Sequence, residues 1–181
     1  MKFSKVRDVK SPERGSPFSA GIDFFVPEYD IKFVSDFFDI PQNLNNQCIF
    51  EKIAQDHTVI VVPPLARVLI PSGIKVNFFD GYQEGLIYKT LALIACNKSG
   101  VASKTGLDVM AQVIDQDYQG EVHLSLCNTS NKSVWIYSGQ KIIQFIMFYV
   151  NHPNLEEVPV EDLYESETER GEGGFGSTDK K

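Results

Sequence analysis

The chain has 181 residues, of which 43% are hydrophobic, and a formal net charge of −7. A hydrophobic fraction of this size excludes global disorder, and the length suits one domain, or one domain with a tail. No apolar run approaches the roughly 20 residues of a membrane helix, and the N-terminus has no apolar signal core, so neither membrane insertion nor secretion is expected. Three widely spaced cysteines argue against a disulfide framework and predict a reducing compartment, which we take to be the cytoplasm.

The negative charge is concentrated at the C-terminal end. Residues 153–181 carry nine acidic and three basic side chains, a net charge of −6, which leaves −1 for residues 1–152. We therefore predict a compact domain over 1–152, followed by an acidic tether and a glycine-rich arm over 153–181. The domain has no basic stripe, so nucleic-acid binding is not expected.

One segment of the body departs from a β pattern. Residues 36–56 contain apolar side chains, but Pro41 and the polar run 43–47 interrupt them. A short helix around 46–55 is predicted there. We interpret the segment as a helical insertion in a β scaffold.

The rest of the body has the patterns of β-strands. Residues 67–70 and 74–79 flank Pro71-Ser72-Gly73, a turn signal with proline at an early position. Residues 121–126 alternate polar and apolar side chains, which is the period of a half-buried strand. Residues 142–150 are almost continuously apolar and predict a strand buried on both faces. Short strands with frequent turns predict an all-β barrel or sandwich.

The glycine-rich arm contains residues suited to an anion. Four glycines within 171–176 let backbone N–H groups approach a ligand closely. Arg170 offers a planar fork of donors that suits a phosphate, and Ser177 and Thr178 add hydroxyl donors. Phe175 supplies an apolar face that could stack on a base. A flexible linker is the alternative interpretation.

Three further sites lie in the body. Lys98-Ser99-Gly100 follows a strand-like run and could cradle a phosphate, although Ser-Gly pairs also mark ordinary turns. Asp115 directly follows two β-branched residues, which places it near a strand end, partly shielded, where a carboxylate can orient a water for attack. Tyr118, in the next turn, could pack against a sugar ring. Residues 19–23 form a glycine-bearing turn that ends on Asp23 and by itself indicates only an Asp-stabilised turn.

In order and approximate spacing, these stretches resemble the five motifs of the trimeric deoxyuridine triphosphatase (dUTPase) family. The resemblance covers essentially the whole chain, and the third and fifth motifs are specific. The matching stretches are Ala-Gly-Ile-Asp at 20–23, Lys-Ser-Gly-Val-Ala-Ser-Lys at 98–104, Ala-Gln-Val-Ile-Asp-Gln-Asp-Tyr-Gln-Gly-Glu-Val at 111–122, Gly-Gln-Lys-Ile-Ile-Gln at 139–144 and Arg-Gly-Glu-Gly-Gly-Phe-Gly-Ser-Thr at 170–178.

The resemblance implies a jelly-roll-like β-barrel subunit and a homotrimer whose sites are shared between subunits, with a mobile C-terminal arm closing over each site. It implies a dUTP diphosphatase that uses Mg²⁺ and hydrolyses dUTP to dUMP and pyrophosphate. Such an enzyme limits uracil incorporation into DNA and supplies dUMP for dTMP synthesis.

The resemblance also assigns roles to residues. Asp115 would activate the water that attacks the α-phosphate, and Asp23 would support the water shell of the metal, or the scaffold of the site, without binding metal directly. The implied substrate-binding residues are Lys98, Ser99, Gly100 and Gln144 at the phosphates; the backbone of Gln112 and His123 at the base edge; Tyr118 at the deoxyribose; and Arg170, Phe175, Gly176, Ser177 and Thr178 in the arm, where Phe175 would stack on uracil.

Four residues depart from the family pattern. Lys98 and Lys141 stand where arginine is usual, so a bidentate arginine–carboxylate contact between subunits cannot be copied unchanged. Gln112 and His123 stand where glycine is common. Backbone recognition of a base then requires that their side chains point away and that φ stays negative.

Two rival functions were weighed. A deoxycytidine triphosphate deaminase on a similar fold would need a glutamate general base acting on the pyrimidine, and no such base stands in the part of the third motif where Gln112 and Asp115 lie. A non-catalytic protein could bind a protein partner through residues 36–56 and 82–95, which we interpret as surface insertions. The presence of Asp115, Tyr118 and the complete arm motif argues against lost catalysis, although both activities could coexist.

Overall fold

The computed structural model describes residues 1–54, 57–78, 89–169 and 171–172. Two units are distinguished, Met1–Asn151 and His152–Lys181, and the described part of the second contains a single 3₁₀ turn, Val160–Asp162. In the first unit the elements are β1 (Lys2–Lys5), β2 (Ile22–Phe25), α1 (Ile31–Phe38), α2 (Pro41–Asn45), β3 (Ile49–Ala54), β4 (His57–Val62), β5 (Arg67–Pro71), β6 (Ile74–Asn77), β7 (Lys89–Asn97), α3 (Ser99–Thr105), β8 (Leu107–Val109), β9 (Val113–Ile114), β10 (His123–Asn128), β11 (Val134–Tyr137) and β12 (Lys141–Asn151).

The strands pair antiparallel in four sheets, and the prediction of an all-β class is confirmed. The sheet orders are β1-β6, β5-β10-β8, β11-β4-β3 and β2-β12-β7-β9. The alternating run at 121–126 supplies most of β10, and the run at 142–150 lies within β12. Closure of these sheets into a jelly-roll barrel stays a prediction.

The prediction of a short helix around 46–55 is wrong. Ile49–Ala54 is strand β3, and it pairs with β4 in a register that sets Phe50 opposite Ile60. The helices lie upstream instead. Asp30 caps α1 by accepting a hydrogen bond from the backbone N–H of Phe33 at 2.7 Å, and Pro41 opens α2 at a position where its missing N–H costs nothing.

The 36–56 segment packs against the core through Phe37, Asn43 and Cys48, whereas its other described residues are partly or fully exposed. Phe33 and Phe37 are 1% and 0% exposed. The ring of Phe37 lies 5.0 Å from that of Phe50 in β3 and packs edge-on against it. Two or more rings buried in this way stabilise the helical segment by several kcal/mol, of the order of 1.5–3 kcal/mol for each large apolar side chain.

Two further expectations need correction. The stretch 82–95 is not a surface insertion throughout: its part from residue 89 onwards belongs to β7, where Leu91, Leu93 and Ala95 are buried, and residues 79–88 lie outside the described part. Strand β12 is not buried on both faces along its whole length. Its first half is largely buried, as at Phe145, whereas its last four residues are exposed.

Two further observations concern the helices and the thiols. None of the described helices has the length and apolar character needed to span a membrane. Cys48, Cys96 and Cys127 are free thiols, and burial raises the pKa of the Cys48 thiol to about 11. Cys48 is therefore protonated and unreactive at neutral pH.

Candidate active site

Strand β12 brings three of the sequence motifs side by side. Gln144 in β12 pairs with Asp23 in β2 on one side and with Cys96 in β7 on the other. The Gln144 side-chain amide donates a hydrogen bond, 2.8 Å long, to the carbonyl of Asn97, the last residue of β7. The first, second and fourth motifs therefore meet at one end of this sheet.

The glycine of the first motif makes room for that amide. A Cβ atom at Gly21 would lie 2.1 Å from Oε1 and 2.8 Å from Cδ of Gln144. Contacts this short do not occur between a Cβ and its neighbours, so any side chain at position 21 displaces Gln144. Sequence reasoning treated Gly21 as a turn residue and missed this requirement, because nothing local connects positions 21 and 144.

Asp23 is a buried carboxylate held between two lysines. Its side chain is 6% exposed, Lys98 donates to its Oδ1, and the Nζ atom of Lys141 lies 3.3 Å from its Oδ2. Lys141 also lies 3.5 Å from a carboxylate oxygen of Glu13, and the hydrogen bond to Asp23 raises the pKa of Lys141. The two lysines that replace arginine thus share one carboxylate of their own chain.

The phosphate-cradle prediction falls at the end of β7. The strand stops at Asn97, Lys98 is the N-cap, and Ser99 and Gly100 are the first residues of α3. Both are exposed, and a Cβ at Gly100 would meet nothing within 4 Å. The first N–H groups of a helix have no partner within it, so these two are available to an acceptor from outside.

Asp115 immediately follows β9, as the sequence predicted, but its side chain is exposed and not shielded by apolar neighbours. The described residues give its carboxylate no hydrogen-bond partner. Its backbone carbonyl accepts a hydrogen bond from the N–H of Tyr118 at 3.2 Å, which closes the turn. In one chain, Asp115 is therefore a carboxylate open to water.

The backbone around Gln112 and His123 meets part of the requirement set by the sequence. Positive φ among described residues other than glycine occurs only at Gln47 and Leu65, so neither Gln112 nor His123 adopts it. Residues 110–122 connect the antiparallel strands β8 and β10, and we call this connection the hairpin segment. The carbonyl of Gln112 accepts a 2.7 Å hydrogen bond from the N–H of Ala95 and so ties the hairpin segment to β7.

The two groups of candidate residues are separated along β7. Ile114, which precedes Asp115, pairs with Leu93, whereas the lysine at the phosphate cradle is Lys98. Five residues of strand span about 17 Å at about 3.3 Å per residue. One chain therefore gathers Asp23, Lys98 and Gln144 at one place and Asp115 with its hairpin segment at another. The arm residues Arg170, Phe175, Gly176, Ser177 and Thr178 lie outside the described residues.

Comparison with known proteins places this arrangement in a family. The sequence matches the dUTPase family model over residues 53–179. A deoxyuridine 5'-triphosphate nucleotidohydrolase of Paramecium bursaria Chlorella virus 1 is 33% identical over 173 residues, which are 96% of this chain and 92% of that protein. The protein of the same description from Mus musculus is 45% identical over 127 residues, 70% of this chain and 68% of that one.

The fold agrees with these sequence matches. A solved structure of the Staphylococcus bacteriophage 80alpha dUTPase with dUPNHPP superposes with a TM-score of 0.67 at 21% identity, covering 97% of this chain and 96% of that one. The structural similarity supports the all-β fold, and the sequence matches establish the family. The chain belongs to the dUTPase family, so the resemblance drawn from its five motifs is confirmed.

Proposed function

We propose that the protein hydrolyses dUTP to dUMP and pyrophosphate, with water attacking the α-phosphate. The observation that carries the proposal is the water-exposed Asp115 carboxylate, held at the end of β9 beside a turn that presents Tyr118, in a chain of the dUTPase family. A carboxylate in this position can accept a proton from the attacking water. The reaction would limit uracil incorporation into DNA and supply dUMP for dTMP synthesis.

The phosphates would be held at the end of β7. A triphosphate brings about four negative charges, which need local cations and N–H donors. The backbone of Ser99 and Gly100, the ammonium group of Lys98 and the amide of Gln144 lie together there. Lys98 is already paired with Asp23, so a bound phosphate would share this cation with the carboxylate.

We also propose that the working site is formed by more than one copy of the chain. A base and the phosphate that its water attacks must lie close together, but Asp115 and Lys98 are separated by about 17 Å of β7 in one chain. A homotrimer in which the hairpin segment of one subunit faces the phosphate cradle of another removes that separation. The arm over 153–181, with Arg170, Phe175, Gly176, Ser177 and Thr178, would then close the site and exclude water.

Magnesium would enter with the nucleotide. No group of three His, Cys, Asp or Glu side chains suited to a metal occurs among the described residues, and Mg²⁺ is commonly held by substrate phosphates and water with one or two carboxylates. Both oxygens of Asp23 face ammonium groups, which supports its scaffold role more strongly than a role through the water shell of the metal. When bound, the ion would neutralise phosphate charge.

A substrate panel tests the proposal. Pyrophosphate release is measured with dUTP, dTTP, dCTP and UTP at equal concentration with Mg²⁺. We expect dUTP to react far faster than the other three, because a pocket that pairs with the base edge leaves buried groups unpaired with cytosine and excludes the methyl group of thymine. Equal rates for all four nucleotides would contradict dUTP hydrolysis as the function.

A further inference from the structure

A largely shielded ion pair is formed by Glu121, at the end of the hairpin segment that carries Asp115 and Tyr118. The guanidinium of Arg7 binds the carboxylate of Glu121 through two hydrogen bonds, from Nε to Oε1 at 2.7 Å and from Nη2 to Oε2 at 3.0 Å. Only 12% and 15% of the two side chains are exposed. A bidentate pair shielded from water in this way fixes both distance and orientation, which an exposed ion pair does not.

Two further contacts hold this pair to the body. The backbone N–H of Gly73, in the turn between β5 and β6, donates to Oε1 of Glu121 at 2.6 Å. The remaining guanidinium nitrogen, Nη1 of Arg7, lies 2.6 Å from a carboxylate oxygen of Asp36 in α1. The side chain of Glu121 is therefore anchored to the N-terminal segment and to a turn of the core, and through Arg7 to a helix.

The backbone carbonyl of Glu121 also contacts two nearby side chains. The carbonyl of Glu121 accepts a hydrogen bond from the Tyr118 hydroxyl at 2.9 Å, and Nδ1 of His123 lies 2.9 Å from the same oxygen, a distance at which an Nδ1–H tautomer donates. The Tyr118 ring folds across Gly120, where a Cβ would lie 2.2 Å from the tyrosine hydroxyl. One carbonyl thus contacts the side chain of Tyr118, which is implicated at the deoxyribose, and the side chain of His123, whose backbone is implicated at the base edge.

We propose that Arg7 and Glu121 are positioning residues for nucleotide recognition. Their ion pair fixes the carbonyl of Glu121, and that carbonyl fixes the Tyr118 ring and the His123 imidazole. The inference rests on the proposed function, in which Tyr118 packs against the deoxyribose. A tyrosine held rigidly leaves no room for a 2′-hydroxyl, whereas a tyrosine on a loosened hairpin segment can move aside. The pair therefore acts on the affinity for dUTP and on the discrimination against UTP, and not on the chemical step at Asp115.

The first variant is Glu121→Gln, which keeps the size of the side chain and an oxygen for the Gly73 N–H but removes the charge. We expect KM for dUTP to rise about tenfold and the preference for dUTP over UTP in kcat/KM to fall about tenfold, a change of about 1.4 kcal/mol. The value of kcat at saturating dUTP should stay within about twofold, since Asp115 and the phosphate cradle are untouched.

The second variant, Arg7→Lys, keeps the positive charge and loses the fork. It should fold even if Glu121→Gln does not, and it should lower the dUTP preference by a smaller factor. In the double variant Arg7→Gln with Glu121→Gln, the loss of dUTP preference should be smaller than the sum of the losses in the two single variants. It should be close to the loss in the more impaired single variant, because both changes break the same contact.

The matched control is Lys32→Gln. It removes an ion pair to Asp36 from the exposed face of α1, where Lys32 is 73% exposed, but leaves Arg7 and Glu121 joined. KM and the dUTP preference should be unchanged. Hydrogen exchange of amides 115–123 in the ligand-free proteins gives a reading independent of activity: exchange should be faster in Glu121→Gln than in the wild type or in Lys32→Gln.

The possible outcomes separate the two proposals. A wild type that hydrolyses none of the four nucleotides overturns the proposed function, and this inference with it. A selective wild type whose folded Glu121→Gln or Arg7→Lys variant keeps the wild-type KM, dUTP preference and hairpin-segment exchange overturns this inference alone. A fall in kcat with no change in KM or preference also overturns it, because the pair would then act on the chemical step.

Discussion

Replacing Gly21 by alanine tests whether the absence of a side chain at this position is needed to accommodate the Gln144 amide. In the structure, the added Cβ would lie 2.1 Å from Oε1 of Gln144 and 3.0 Å from its Cβ. The ordinary contact distance is about 3.4 Å or more, so the glutamine cannot keep its rotamer. When it turns away, its 2.8 Å hydrogen bond to the carbonyl of Asn97 is lost.

The size of the effect follows from these contacts. Loss of one hydrogen bond costs about 0.5–1.5 kcal/mol. The atoms nearest the added Cβ all belong to the half-exposed side chain of Gln144, so its displacement adds little to that cost. For a chain of this length, about 1 kcal/mol lowers Tm by roughly 2–4 °C. If Gln144 also donates to a phosphate, the lost charge-assisted bond of about 1.5–3 kcal/mol lowers kcat/KM for dUTP roughly 10- to 150-fold.

The control is the same substitution six residues away. A Cβ at Gly15 would lie 3.4 Å from the hydroxyl of Ser19, an ordinary contact, so Gly15→Ala should leave both Tm and kcat/KM unchanged. Tm is measured by thermal unfolding, and kcat/KM by pyrophosphate release well below the lower Tm. A Gly21→Ala protein with the Tm and kcat/KM of Gly15→Ala would refute the reasoning.

Three further results are expected. Asp115→Asn should lose most of its turnover yet still bind a non-hydrolysable dUTP analogue in calorimetry, because the amide cannot accept the proton of the attacking water; an unchanged rate would remove Asp115 from its role. Deleting residues 168–181 should cripple turnover without lowering the Tm of the body, and full activity of the truncated protein would show that the arm is a plain linker. Lys32 and Arg7 hold the pKa of the Asp36 carboxyl below its usual range. That contribution to stability is present above the unfolded pKa, near pH 4, and is lost as the pH falls through the folded pKa. Urea titrations at about pH 5 and about pH 3 should therefore show a larger loss of unfolding free energy in the wild type than in Asp36→Asn, and equal losses would contradict the assignment.

The pattern of apolar and polar residues predicted the secondary structure correctly where it is regular over several residues. The alternation at 121–126 and the apolar run at 142–150 predicted β10 and β12, and Asp115 lies at a strand end as expected. The helix α1 was missed, although Asp30 with Phe33 and Phe37 at a spacing of four gave a recognisable start signal.

Non-local pairing decided the cases that pattern could not. Residues 49–54 form a strand because β4 offers partners 10 and 12 residues further along at the paired positions 50–60 and 49–61, and pairing of that kind overrides a weak helical preference. The exposure of Asp115 is likewise a tertiary property. The two residues before it in sequence, Val113 and Ile114, are apolar, but its own side chain is exposed to solvent.

The sequence by itself indicated the family and predicted the chemistry of the site, because five short motifs carry the residue types that phosphate and base recognition require, and residue type is local information. Only the tertiary structure decided which of these residues meet. It joined Lys98 and Lys141 on one carboxylate and separated Asp115 from the phosphate cradle along β7. It also paired Arg7 with Glu121, which are 114 residues apart. Such contacts depend on how distant strands pack, and no spacing along the chain encodes them.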